Sequence, residues 1–187
     1  MQKRKEALQS SANRGSKFGI GALVFCAFLA ALSIVLGKYL AFPVGPILRF
    51  SFENLPVIMG GMLFGPVAGL LIGIVADLVG CVLVGYTINP IVTAGAAAIG
   101  LCSGVLYRVC ARLSGLVRVL ISVIVSHLIG SVLIKTWGLA AFYEMPFALL
   151  LLWRALNYAV VGAAECALLY YLLSARAISS RIVRLKR

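Results

Sequence analysis

The chain has 187 residues, of which 63% are apolar and only 12% charged, and its mean hydropathy is +1.08. A water-soluble domain carries about 25% charged residues and cannot hide so much apolar surface; this excludes a soluble enzyme, a nucleic-acid-binding domain and a disordered chain. The net charge of +12 is concentrated at the two ends and in one internal cluster, the pattern of a polytopic membrane protein.

Residues 1–17 form a basic tail, and residues 18–37 carry no charge between Lys17 and Lys38. A spanning helix needs about 20 apolar residues, so this stretch is the first predicted span. No small-residue cleavage site follows it, which argues for a retained span and against a signal peptide. Residues 54–107 contain a single charge, Asp77, and are punctuated at Gly65-Pro66 and at Tyr86-Thr-Ile-Asn89-Pro90. Asn-Pro favours a turn followed by a helix start, so the run divides into a short helix near 54–64, a fuller one near 67–85 and another near 91–107. Residues 116–134 and 146–173 supply the last two, and 174–187 form a second basic tail. The expected fold is all-α, a compact bundle of six transmembrane helices over 18–173.

The positive charges orient that bundle. Both tails and the connection bearing Arg108, Arg112 and Arg118 fall on one side and hold 13 of the 17 basic residues. The positive-inside rule then places both termini in the cytoplasm, and topology plus attraction to lipid headgroups accounts for the tails without nucleic acid. Five scattered cysteines (Cys26, Cys81, Cys102, Cys110, Cys166), one histidine and no phosphate-binding glycine loop leave no metal centre, nucleophile constellation or ATP site in view. The chain reads as a non-enzyme without a cofactor of its own.

Polar groups within the spans carry the functional signal, because ionisable residues in a membrane are costly and usually face the bundle interior. Asp77 shares a helix face with Gly69, Gly73 and Gly80, which let another backbone approach; it is either a packing carboxylate or an acceptor for an N–H-rich ligand. His127, Ser131 and Lys135 recur at four-residue spacing and form one polar stripe ending at Thr136-Trp137. Trp137 is either an interfacial anchor or a ring platform. In the last span Arg154, Asn157 and Tyr158 share a face that Glu165 continues. Snorkelling explains an Arg alone, but Asn157 has no such escape, and a planar guanidinium matches carboxylates. The connection 38–54 contains Phe42-Pro-Val-Gly-Pro46, which forces irregular backbone, and then Arg49-Phe-Ser-Phe-Glu53-Asn54, which mixes charges with aromatics as a lid or pocket wall would. Phe50, Phe52, Tyr86, Trp137, Tyr143 and Tyr158 are available to sandwich a flat ring. The expected ligand is planar and rich in hydrogen-bonding groups, with room for a carboxylate.

The order of the motifs is similar to a known family. Arg49-Phe-Ser-Phe-Glu53-Asn54-Leu-Pro56, Gly60-Gly-Met-Leu-Phe-Gly65-Pro66-Val-Ala-Gly69, Ala76-Asp77-Leu-Val-Gly80-Cys81, Gly85-Tyr86-Thr-Ile-Asn89-Pro90 and His127-Leu-Ile-Gly130-Ser131 leading to Lys135-Thr136 together resemble the S components of energy-coupling factor (ECF) vitamin transporters, in particular the folate-specific branch. The resemblance implies a six-helix protein of a bacterial cell membrane that captures a vitamin from outside and topples to deliver it. It implies a membrane coupling subunit and two cytoplasmic ATPases as partners, with ATP used by those separate chains. It also implies docking of the coupling subunit on small residues of the first helix, where Ala27 and Ala31, with Ala22 and Cys26 nearby, fit; Gly100 and Gly104 match the same spacing. For a folate, Asp77 or Glu53 suits the pterin edge, with Asn54, Asn89 and His127 completing its hydrogen bonds. Arg49, Lys135 and Arg154 suit the glutamate tail, and Trp137, Tyr143, Tyr158 or Phe50 suit ring stacking.

Three other readings compete: an S component for pantothenate, thiamine, riboflavin or a queuosine precursor; a stand-alone permease; and a structural membrane protein. The chain shows no repeated halves with matching broken helices, which disfavours the permease. The polar interior stripes disfavour a purely structural role.

Overall fold

The structure is a computed structural model that describes residues 19–44, 48–144 and 146–174; for 43, 44, 48, 49 and 143 it describes the backbone alone. The basic tail 1–17 lies outside the described residues, and so does the tail 174–187 apart from Ser174, which ends the last helix.

Helix α1, Ile20–Ile34, runs on through a π-helical turn, Val35–Tyr39. A short antiparallel hairpin follows, β1 Phe42–Val44 with β2 Leu48–Phe50, in the register Phe42↔Phe50, Pro43↔Arg49 and Val44↔Leu48. At 42–44 a strand replaces the irregular backbone predicted for Phe42-Pro-Val-Gly-Pro46, a local exception within an otherwise helical fold; residues 45–47 lie outside the described residues. Proline is tolerated there because both strands of a two-stranded ribbon are edges, where a missing N–H need not break a ladder.

Four more helical rods complete the bundle with one short helix between them. Helix α2, Asn54–Phe64, ends at Gly65, whose φ of 108° suits glycine, and Pro66 opens α3, Pro66–Val84. Asn89 caps α4, Pro90–Val109, by accepting from the Ile91 and Val92 N–H groups at 3.0 and 3.4 Å. After a 3₁₀ turn at Cys110–Arg112, α5 (Gly115–Ser126), a π-helical stretch (His127–Ile134) and α6 (Lys135–Tyr143) form one continuous rod. Helix α7, Phe147–Ser174, closes the bundle.

Five of these rods are long and apolar enough to cross a membrane: Ile20–Tyr39, Pro66–Val84, Pro90–Arg112, Gly115–Phe142 and Phe147–Ser174. The short α2 has 11 residues, about 16 Å at 1.5 Å each, against about 30 Å of hydrocarbon. It is buried on nearly every side, from Asn54 and Leu55 through Phe64, so it is a central post around which longer helices stand. Its own Ile58 and Leu29, Ile99 and Leu169 of other helices are fully buried, while Leu23, Val24, Phe28, Val67, Leu71 and Val160 point outward, the arrangement a lipid solvent favours.

Glycines set how closely α2, α3 and α4 pack. A Cβ on Gly69 would fall 2.7 Å from the Gly61 Cα, and one on Gly104 would fall 2.7 Å from the Pro66 Cα. Gly73 likewise faces the Ala96 carbonyl, as expected from its place on the Asp77 face, whereas Gly80 faces the Lys38 side chain. Gly100 and Gly104 are therefore engaged in packing inside the bundle. Ala27 and Ala31, the other pair at that spacing, are exposed on α1; Cys26 is half-buried and Ala22 is buried.

Candidate functional site

The end of the bundle that carries the hairpin gathers the charges. Glu53 precedes α2 and Lys135 begins α6, and their side chains pair at 3.1 Å. Burial opposes ionisation of Glu53, but the cations Lys135, Lys38 and Arg154 outweigh it and hold its carboxyl at about 2. Ser33 donates to the Glu53 backbone carbonyl at 2.6 Å and ties α1 to the start of α2. Lys38, Asp77 and Asn54 line the same small cavity as Glu53 and Lys135. Asp77 Oδ2 accepts a 2.7 Å hydrogen bond from Thr93 Oγ1 across the α3–α4 seam.

One side of this cavity connects to a polar network built on the π-helical stretch. Asn54 Nδ2 donates to Ser131 Oγ at 3.4 Å. The Ser131 carbonyl accepts from Arg154 Nε and Nη2 at 3.2 and 3.1 Å and from Thr136 Oγ1 at 3.4 Å. A π-helical turn is wider than an α turn and is frequent at functional sites; here it presents a backbone carbonyl to an arginine fork. His127 stacks on Tyr158 with ring centroids 4.9 Å apart, meets Ser131 Oγ through Nδ1 at 3.2 Å, and meets Glu165 Oε2 through Nε2 at 2.5 Å. Arg154 also reaches the Tyr158 hydroxyl at 3.4 Å.

Of the residues singled out by sequence, Glu53, Asn54, Asp77 and Lys135 border one cavity. His127, Arg154 and Tyr158 join them through Ser131, and Asn157 is buried on the same helix as Arg154. Others are not brought in. Trp137 is 59% exposed on the outside of α6, and Tyr86 is half-exposed with the Lys38 ammonium 5.4 Å from its ring centre. Asn89 is engaged as the α4 cap and in donating to the Gly138 carbonyl at 2.9 Å. The side chains of Arg49 and Tyr143 lie outside what the structure describes.

The cavity is small. Its volume is about 20 Å³, room for roughly one water, whereas pockets for small organic ligands run to about 300 Å³ or more. The site is closed in this conformation. Larger hollows lie on the apolar flanks: one of about 430 Å³ between α5 and α7, one of about 340 Å³ between α1 and α3.

Residues 22–174 match the family model described as "ECF transporter, substrate-specific component". The chain belongs to that family. Solved S components share its fold. It superposes on a crystal structure of FolT bound with folic acid with a TM-score of 0.66 at 23% identity, over 82% of this chain and 93% of that one. The S component of a bacterial ECF transporter follows at 0.63 and 20%, over 84% and 95%, and an S component for biotin at 0.60 and 18%, over 81% and 89%. In sequence, the folate transporter FolT of Clostridium novyi (strain NT) is 34% identical over 61 residues, 33% of this chain. That match spans about a third (35%) of the relative's length.

Two charged members of this S component's polar cluster were not singled out as site residues by sequence. Lys38 closes the first span and reads there as a topology charge, yet it lines the cavity with Glu53. Glu165 was placed on the Arg154 face, but its pairing with His127, 38 positions away, has no signal in a single sequence.

Proposed function

We propose that this S component captures a folate or folate derivative from outside the cell in the cavity at the hairpin end. The observation that carries the reading is the meeting of two carboxylates, Glu53 and Asp77, with the cations Lys38 and Lys135 at one cavity and Arg154 beside it. A pterin edge offers N–H donors that a carboxylate accepts, and a glutamate tail offers anions for ammonium and guanidinium groups. Asp77 or Glu53 takes the pterin edge, Lys135 and Arg154 the tail, and Tyr158 a ring face. Arg49 and Tyr143 remain candidates for the same roles. The partial similarity to the Clostridium novyi folate transporter supports a folate over other vitamins.

Entry of such a ligand requires the hairpin end to open, because the cavity holds about one water. The Glu53–Lys135 pair spans the seam that must part, and the ligand's own acceptors and donors replace it. In the membrane the short α2 is the sixth helix, the hairpin end faces outward and both basic tails face the cytoplasm of a bacterial cell. The exposed Ala27 and Ala31 face of α1 receives the coupling subunit, and two separate ATPases supply the energy.

Calorimetric titration of the detergent-purified chain with folic acid, 5-formyltetrahydrofolate, riboflavin, thiamine, pantothenate and biotin tests the reading. Near 1:1 binding of folates alone is the expected result. Binding of another vitamin instead establishes the second reading, an S component for a different vitamin or precursor. No binding by monodisperse protein overturns both.

A further inference from the structure

A line of buried side chains leads from the bundle interior to the cavity wall. Glu165 on α7 is fully buried; its Oε2 meets His127 Nε2, and its Oε1 has no hydrogen-bond partner among the described residues. His127 Nδ1 meets Ser131 Oγ, and Ser131 Oγ meets Asn54 Nδ2. Exposures along the line are 0% for Glu165, 3% for His127, 0% for Ser131 and 2% for Asn54, so water does not interrupt it.

The chemistry of the groups gives the line a direction. A carboxylate only accepts, so Nε2 of the imidazole carries a hydrogen. Ser131 has one hydroxyl proton to place. Ser122 and Ser103 return theirs to helix carbonyls, Arg118 at 2.8 Å and Gly100 at 2.9 Å. Ser131 Oγ makes no such bond among the described residues, and its two contacts are His127 Nδ1 and the Asn54 amide nitrogen. With the ring hydrogen on Nε2, Nδ1 is the bare acceptor that takes the hydroxyl proton, and the hydroxyl oxygen is left to accept from the Asn54 amide. Asn54 is thereby held with its nitrogen toward Ser131, leaving its amide oxygen as the acceptor for the cavity it borders.

We propose that Glu165 and His127 are positioning residues that act through Ser131 to fix the polarity of the ligand site: Asn54 presents oxygen, so the ligand group facing it is an N–H or O–H donor. The ligand is read in part by residues that never touch it. A bare imidazole would choose its tautomer freely, and the Asn54 amide would then rotate to suit either a donor or an acceptor. The inference rests on the placement of the ligand in the hairpin-end cavity.

The chain has one histidine, so ¹⁵N-histidine labelling of the full chain yields a single imidazole to observe. In the free protein the hydrogen is expected on Nε2, with a hydrogen-bonded, bare Nδ1; a hydrogen on Nδ1 overturns the proposal. Folic acid is expected to shift the Nδ1 resonance in the wild type. In Ser131→Ala, which leaves the His127–Glu165 pair intact, that shift is lost and affinity falls about tenfold, the scale of one hydrogen bond in a dry site. A shift that persists unchanged in Ser131→Ala means direct contact of ligand with the ring and overturns the relay. If the wild type binds no folic acid, the folate reading falls, while the tautomer in the free protein still decides the polarity of the line.

Discussion

The two ends of this S component are held together by different means. At the end away from the hairpin, α2, α3 and α4 meet backbone to backbone through Gly61, Gly69, Gly100 and Gly104, with no space for even a methyl group. At the hairpin end, side chains join the start of α2 to the α5–α6 rod, Glu53 to Lys135 and Asn54 to Ser131, and join α3 to α4 through Asp77 and Thr93. Backbone contact has one solution and fixes a rigid frame. Side-chain pairs can exchange partners, which a binding site that is closed before its ligand arrives requires. Backbone contact dominates away from the hairpin, and exchangeable side-chain pairs border the hairpin-end cavity.

The largest effect is expected from breaking the rigid end. Gly69→Val drives a branched side chain into the Gly61 backbone, where nothing can yield, and should cost upwards of about 3 kcal/mol. A steep fall in melting temperature in detergent, equal with and without folic acid, is the expected readout. At the other end, Lys135→Ala leaves Glu53 without its ion-pair partner and removes a cation from the cavity. Folic acid affinity should fall about tenfold to a hundredfold, the scale of one charge-assisted hydrogen bond, with the glycine-packed frame intact by circular dichroism. Arg154→Lys retains charge but loses the two-pronged grip on the Ser131 carbonyl. A loss of about tenfold or less is expected, measured by the same titration.

The smallest effect concerns pH. The Glu53 carboxyl is lowered from 4.5 to about 2, so its contribution to stability is fully present above about 4.5 and is lost as pH falls through about 2. The melting temperatures of wild type and Glu53→Gln should differ by a constant amount from pH 5 upward on this account. They should converge as pH drops toward 2. A gap that widens on acidification would show that Glu53 is not held ionised by its neighbours.

The same division governs what sequence could reveal. The end of α2 and the starts of α3 and α4 were legible to within a residue because Gly65-Pro66 and Asn89-Pro90 are local punctuation, each acting through its own φ or cap. The polar stripe His127, Ser131, Lys135 was also legible, since all three do face inward. The π-helical stretch that carries it was not, for its widened turn depends on neighbours such as Arg154 and Asn54 from other helices. Nor was the hairpin, whose six paired residues lack the alternation that marks longer strands. Aromatics near helix ends were ambiguous for a different reason: rotation decides which way Trp137 points, and one residue of drift moves it by about 100° on a helix of 3.6 residues per turn.

Parallel titration of folic acid into the wild type, Lys135→Ala and Trp137→Ala tests the central claim most directly. Lys135 lies in the closed cavity, 5% exposed, and Trp137 lies outside it, 59% exposed, two positions along the same helix. A site at the hairpin-end cavity predicts at least tenfold weaker binding for Lys135→Ala and affinity within about twofold of wild type for Trp137→Ala. Wild-type affinity in Lys135→Ala together with lost binding in Trp137→Ala would contradict it and place the ligand on the outer face of α6.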